Sequence, residues 1–140
     1  MKRAPTKRVF PNRYNGVGGH VERDEDPLSS ARREIKEETG LDVPVLELRA
    51  IYNIDAGGQS GIILFVFTGQ ASSREVLAQS AEGTLHWIPM SELGKYDLVE
   101  DLPLILPRLL GANHASPWFV HVSYDSKDQI MMRFAGDTNE

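Results

Sequence analysis

The sequence predicts one mixed α/β domain, and three stretches predict it. Residues 26–40 read as a helix closed at both ends, residues 62–67 (Ile-Ile-Leu-Phe-Val-Phe) are an unbroken apolar run of strand length, and residues 118–134 read as two strands around a polar turn. Helical and strand patterns share a chain of 140 residues, a length suited to one domain around one core. The expected domain therefore spans residues 1–140.

Taken in order, residues 1–14 carry five basic side chains, Lys2, Arg3, Lys7, Arg8 and Arg13. A solvated arm suits them slightly better than a phosphate-facing loop. Asn15-Gly16-Val17-Gly18-Gly19 follows, and its glycines permit close backbone approach and positive φ. Asp26 then Pro27 is a helix start: the carboxylate accepts orphan N–H groups, and proline at the first helical position forfeits no hydrogen bond. Gly40 is the matching stop, able to take the left-handed cap conformation. Leu28, Ala31 and Ile35 recur at helical spacing and are expected to form a buried stripe.

After Gly40 the pattern turns to strands. Residues 43–54 are apolar-rich, 55–61 form a hairpin loop, and 62–67 are expected to be a strand buried on both faces. Residues 69–82 are polar and loop-like, 84–88 are a short strand ended by Pro89, and 90–93 begin a turn or short helix. Residues 98–110 read as a Leu-rich helix with Pro103 in its first turn and Pro107 bending it. Strands at 118–124 and 129–134 flank the turn at 125–128, and residues 135–140 are expected to fray.

Composition narrows the chemistry. No cysteine is present, which excludes disulfides and thiol catalysis and suits a reducing compartment, so a cytoplasmic location is expected. The first residues have no apolar signal core, and no apolar run reaches membrane-spanning length. The net charge of −5 argues against a duplex nucleic-acid binder, but metal ions can bridge an acidic protein to a nucleotide.

The acids of the helix are its unusual feature. Glu34, Glu37 and Glu38 fall within about 100° of helix circumference, where they repel one another and oppose the helix dipole. Arg32, Arg33 and Lys36 are expected to leave the helix in other directions. Taken alone, an E-x-x-E-E helix is more often a solvated acidic face. A hard divalent cation would also resolve the conflict, with Mg²⁺ the natural candidate and Mn²⁺ its substitute.

The wider pattern favours the cation. Gly19, Glu25, Arg33, Glu34, Ile35, Glu37, Glu38, Gly40 and Leu41 match the Nudix box of the MutT family at nine positions across 23 residues. The entry Asn15-Gly16-Val17-Gly18-Gly19-His20-Val21-Glu22 resembles that of the family's 8-oxo-dGTP diphosphatases. Glu82-Gly83-Thr84-Leu85-His86-Trp87-Ile88-Pro89 resembles a segment of a bacterial subgroup with that assignment. The likeness covers roughly residues 2–134.

This resemblance implies a Nudix fold, a mixed β-sheet packed between helices. It also implies hydrolysis of nucleoside diphosphates linked to another moiety: water attacks phosphorus, and a triphosphate yields a nucleoside monophosphate and pyrophosphate. By resemblance Glu34, Glu37 and Glu38, with the Gly19 carbonyl, hold the metal. One of these glutamates, or Glu82, serves as the base. Arg33 orients Glu25 and the cluster by salt bridge, while Glu25 and Gly40 are structural. Asn15, Gly18, Gly19 and His20 are the substrate-binding candidates. Asn15 suits a purine contact or an Asn-Gly turn equally. His20 stands where lysine is common, so the lysine's phosphate contact is not assumed for it. Trp87 and Phe65 are more readily core residues than base-stacking ones. His86, His114 and His121 share no metal-ligand spacing.

The expected partner is a nucleotide, with no membrane or direct nucleic-acid contact. ADP-ribose, a nucleotide sugar or an undamaged triphosphate is an alternative substrate, and a nucleotide-sensing Nudix domain without turnover is the non-enzyme alternative. Finally, the family places strands ahead of a segment resembling Lys2-Arg3-Ala4-Pro5, which here follows Met1 directly. The first strand is therefore expected to be missing and the sheet edge open, with a homodimer partner as one way to cover it.

Overall fold

The computed structural model describes residues 1–76, 79–80, 82–111 and 115–137. Its elements run β1 (Lys2–Arg3), α1 (Pro27–Thr39), β2 (Leu46–Ile54), β3 (Ile62–Gly69), β4 (Gln79–Ser80), β5 (Gly83–Thr84), a 3₁₀ helix (Met90–Lys95), α2 (Leu102–Leu110), β6 (Trp118–Tyr124) and β7 (Ile130–Phe134). Two compact units emerge, one of residues 1–46 and 69–103, the other of residues 47–68 and 104–140.

In the first unit, helix α1 forms where its caps predict. The Asp26 carboxylate accepts from the Ser29 N–H at 2.9 Å and from the Ser29 hydroxyl at 2.7 Å, and these bonds hold its pKa below the ordinary value. Gly40 ends the helix at φ 76°, its N–H donating to the Lys36 carbonyl. The expected apolar stripe is weaker than its spacing: Leu28, Ala31 and Ile35 are half-buried, while Ser30 and Thr39 are buried. Thr39 tolerates burial because its hydroxyl donates to the Ile35 carbonyl at 2.6 Å and accepts from the Leu41 N–H at 3.0 Å.

A small sheet of order β1-β5-β4 occupies the same unit, with Lys2 opposite Thr84 and Arg3 opposite Gly83. A side chain at Gly83 would put its Cβ 2.0 Å from the Lys2 carbonyl oxygen, so only glycine allows this pairing. On its other side β1 bridges Tyr14, the Arg3 N–H donates to the Arg13 carbonyl, and the Asn15 N–H donates to the Met1 carbonyl. β1 is thus paired on both of its sides, by β5 and by residues 12–15. Tyr14 in turn bridges Leu98, and Val99 donates to the Tyr14 carbonyl. That pairing draws residues 98–99 out of the expected helix, so α2 starts at Leu102 with Pro103 in its first turn and Pro107 inside it. The strand expected at 84–88 contracts to Gly83–Thr84, and the loop at 69–82 contains β4.

The second unit is a four-stranded mixed sheet of order β3-β2-β6-β7. Strands β2 and β6 are parallel, with Tyr52 beside Val120 and Ile54 beside Val122; β6 and β7 form the expected antiparallel hairpin, with Val120 opposite Phe134. This register puts Ala50, Tyr52, Val120, Val122 and Phe134 on one face, where they are buried, and Ile105 of α2 is buried as well. Arg108 ties α2 to that face: its guanidinium lies 4.6 Å from the Trp118 ring centre and 3.7 Å from that of Phe134, and it pairs with Asp137 at 2.7 Å. Residues 135–137 are accordingly anchored rather than frayed.

Strand β3 departs most from expectation. Ile62, Ile63 and Leu64 are 57, 54 and 40 % exposed, so the run is not buried on both faces. The reason is position. β3 is an end strand, and an apolar run has no local feature that distinguishes an end strand from a central one.

Candidate active site

Arg33 organises the acids of α1 and the loop before it. Its Nε donates to Glu25 Oε2 at 3.0 Å and one terminal nitrogen to Glu25 Oε1 at 2.6 Å, a two-pronged pairing that matches fork to carboxylate. The same nitrogen donates to the His20 carbonyl at 3.2 Å. The other nitrogen donates to Glu34 Oε1 at 2.9 Å and Glu37 Oε2 at 3.1 Å. All five guanidinium donors are engaged. This corrects the expectation that Arg33 leaves the helix in another direction. Its side chain is long enough to fold back along α1 to the next turn.

The electrostatics follow. The Arg33 hydrogen bonds, helped by the Glu22 N–H and the Ser30 hydroxyl, hold Glu25 at a pKa of about 2, against an ordinary 4.5. Arg33 is raised in turn, chiefly by Glu25 and then by Glu34. Glu38 stands apart: it accepts from the Gly18 N–H at 3.1 Å, and its pKa is raised, first by burial and then by the charges of Glu34 and Glu82. Glu82, 44 residues from Glu38 in sequence, thereby joins the box glutamates in one field.

The glycine loop divides in its roles. A Cβ on Gly19 would lie 2.4–2.7 Å from the Glu34 carboxylate, so that carboxylate rests directly on the Gly19 backbone. A Cβ added at Gly16 or Gly18 would meet nothing within 4 Å, and the glycines with positive φ are Gly40, Gly57, Gly83 and Gly136 rather than those of this loop. The conformational freedom expected of all three loop glycines is thus needed as close approach at one.

Other candidates fall less centrally. The Asn15 side chain accepts from the Gly16 N–H at 2.8 Å, the geometry of the local turn. His20 is exposed and meets the network through its carbonyl. His86 bonds the Thr84 hydroxyl at 2.7 Å and packs edge-on to Tyr14. Trp87 is half exposed and donates to the Arg74 carbonyl at 3.0 Å. Phe65 is half-buried in β3, His121 lies on β6 in register with Arg133, and His114 is outside the described residues. Lys7, undistinguished among five basic residues in the sequence, pairs with Glu82. Their separation of 75 positions explains why no local signal marks the pair. The basic arm is therefore a folded loop, with Arg3 donating to the Val9 carbonyl and Arg13 facing Asp97.

The sequence matches the NUDIX domain family over residues 1–109. The chain belongs to the NUDIX hydrolase family. A mutator MutT protein from Bacillus halodurans is a structural neighbour of this NUDIX chain, with a TM-score of 0.72 at 25 % identity, covering 87 % of this chain and 82 % of that one. A 42-residue segment is 50 % identical to the m7GpppN-mRNA hydrolase NUDT17 of Danio rerio, spanning 30 % of this chain and 14 % of that relative.

NUDIX hydrolases generally use divalent metal ions. Among the described residues no three carboxylates or imidazoles are gathered to chelate an ion as they stand. Arg33 holds Glu34 and Glu37 while Glu38 faces the Gly18 N–H. The donor chemistry nonetheless fits a hard cation: these are all oxygen ligands, Glu34 is seated against the Gly19 backbone, and Glu38 carries surplus negative charge around it. In the described residues no helix is long and apolar enough to cross a membrane.

Proposed function

We propose that this chain is a metal-dependent nucleotide pyrophosphohydrolase acting on a nucleoside triphosphate, with 8-oxo-dGTP or a related oxidised purine nucleotide as substrate and the monophosphate and pyrophosphate as products. The observation that carries it is the saturated Arg33 fork, which holds Glu25, Glu34 and Glu37 in one network beside Glu38. Family membership supports the chemistry. The segments at 15–22 and 82–89 support the substrate class, and the likeness to the MutT protein supports the fold.

Glu34, Glu37 and Glu38, with the Gly19 carbonyl, would hold Mg²⁺, or Mn²⁺ in its place. The ion would offset polyphosphate charge and acidify bound water. Arg33 is a positioning residue: it fixes the direction of Glu34 and Glu37 and ties them to Glu25. Water adds to phosphorus, its proton passes to a carboxylate, and the bond to the departing pyrophosphate breaks. That carboxylate is one of the box glutamates or Glu82, which Lys7 steadies. Asn15, Gly18, Gly19 and His20 line the entry for the nucleotide. The chain acts as one domain over residues 1–140, and its lack of cysteine supports a reducing, cytoplasmic setting.

A second reading rests on the NUDT17 segment: another nucleoside diphosphate derivative, such as a cap, ADP-ribose or a nucleotide sugar, is cleaved at the same site. A substrate panel with Mg²⁺ and with Mn²⁺, on wild type and Glu37→Gln, decides. Preferential turnover of oxidised purine triphosphates, lost in Glu37→Gln, supports the first reading. Preferential turnover of a cap or sugar nucleotide replaces it with the second. Nucleotide binding without turnover removes both.

A further inference from the structure

Two cations meet the acids of the first unit, and they differ in the donors they have left. Arg33 has all five engaged by Glu25, Glu34, Glu37 and the His20 carbonyl. Lys7 pairs with Glu82, and among the described residues its other two ammonium donors have no partner. The loop that carries Lys7 is built onto Glu82. The Lys7 N–H donates to the Ala4 carbonyl at 3.1 Å, and the Ala4 N–H donates to the Glu82 carbonyl at 3.0 Å. Further along, Phe10 and Asn12 sit at φ 49° and 62°, left-handed conformations that cost free energy and that the Arg13 N–H to Phe10 and Asn12 N–H to Arg3 bonds hold. Glu82 directly precedes β5, which pairs with one side of β1, while Tyr14 bridges the other side. Glu82 and the chain entering the glycine loop are therefore two strand spacings apart, about 10 Å. Gly18 of that loop holds Glu38.

We propose that Lys7 binds the phosphate chain of the substrate, exchanging the Glu82 carboxylate for a phosphate oxygen; this rests on the nucleotide hydrolase reading above. A polyphosphate entering beside Glu34, Glu37, Glu38 and Glu82 needs positive charge from the protein as well as from a metal. Arg33 has no donor left to give it. Lys2 lies over the Tyr14 ring, the Arg3 Nε donates to the Val9 carbonyl, and Arg13 faces Asp97. Lys7 is tied to an acid of the site, its side chain is 27 % exposed, and a flexible ammonium can turn from one anion to another. A phosphate chain carries more negative charge than one carboxylate and competes for it. The exchange also leaves Glu82 without its cation once a substrate is in place, so the carboxylate is released toward the reaction only when there is something to hydrolyse. Lys7 thereby departs from the solvated arm expected of residues 1–14.

Titration calorimetry of inorganic tripolyphosphate with Mg²⁺ tests this on wild type, Lys7→Gln, Lys7→Arg and Arg8→Gln. Glutamine can still donate to Glu82 but carries no charge, so far-UV circular dichroism should not change. Lys7→Gln should weaken tripolyphosphate binding about ten- to a hundred-fold, the range for losing a charged hydrogen bond. Lys7→Arg should restore most of it, and Arg8→Gln, which removes the same charge from the exposed neighbour, should leave binding near wild type. The loss should persist in a Glu82→Gln background, where a role confined to holding Glu82 predicts none. In turnover assays the KM for a triphosphate should rise in Lys7→Gln along with the tripolyphosphate Kd. A wild type that binds no tripolyphosphate, equal binding by wild type and Lys7→Gln, an equal loss in Arg8→Gln, or a loss that vanishes in Glu82→Gln overturns the proposal. Lys7-dependent binding without turnover of any nucleotide supports the contact and removes the hydrolase reading instead.

Discussion

Arg33 matters as a shape as much as a charge. Its five donors reach Glu25, Glu34, Glu37 and the His20 carbonyl at once, and an ammonium offers three donors with no fork. Arg33→Lys should therefore lower kcat/KM by about ten- to a hundred-fold while leaving the fold intact, the usual effect of losing a group that orients metal ligands. Steady-state kinetics alongside circular dichroism checks this. Gly19→Ala isolates the neighbouring contact. The three atoms nearest the new Cβ all belong to the far end of the Glu34 side chain, which can swing away, so the variant should keep its Tm and lose metal affinity and turnover together. Glu25 gives a pH signature. Its pKa is depressed to about 2 from 4.5, so its pairing with Arg33 contributes fully above the ordinary carboxylate range and is lost as pH falls through about 2. Acid unfolding should thus be less steep between those values in Glu25→Gln than in wild type, and equal slopes would contradict the assignment.

At the scale of elements, legibility followed the range of the interactions involved. Helix α1 was readable because Asp26, Pro27 and Gly40 act on their own neighbours. Gly40→Ala should cost about 1 kcal/mol, the penalty for a Cβ in the left-handed region, seen as a lower denaturant midpoint. The β6/β7 hairpin was readable because alternation and a polar turn lie side by side. Strands β1, β4 and β5 were not: each has two residues, and β1 and β5 are held by partners about eighty positions apart. Nor was the exposure of β3, since an apolar run looks the same at the edge and the centre of a sheet.

For the whole molecule, the candidate site was legible in its membership more than in its wiring. The spacing of Glu34, Glu37 and Glu38 marked the acids, but the return of Arg33 onto two of them depends on side-chain conformation. The Lys7 pairing with Glu82 and the influence of Glu82 on Glu38 depend on the closure of distant loops. Metal should therefore act on the molecule as well as on the reaction. Adding Mg²⁺ to metal-stripped protein should raise Tm in wild type and do so less in Glu38→Gln, because an ion bound only by the folded cluster stabilises that fold. The most direct test of the central claim is pyrophosphate release from 8-oxo-dGTP with Mg²⁺, compared between wild type, wild type with chelator, and Glu38→Gln. Release by wild type that both chelator and substitution abolish is the predicted result; equal release in all three would contradict the account.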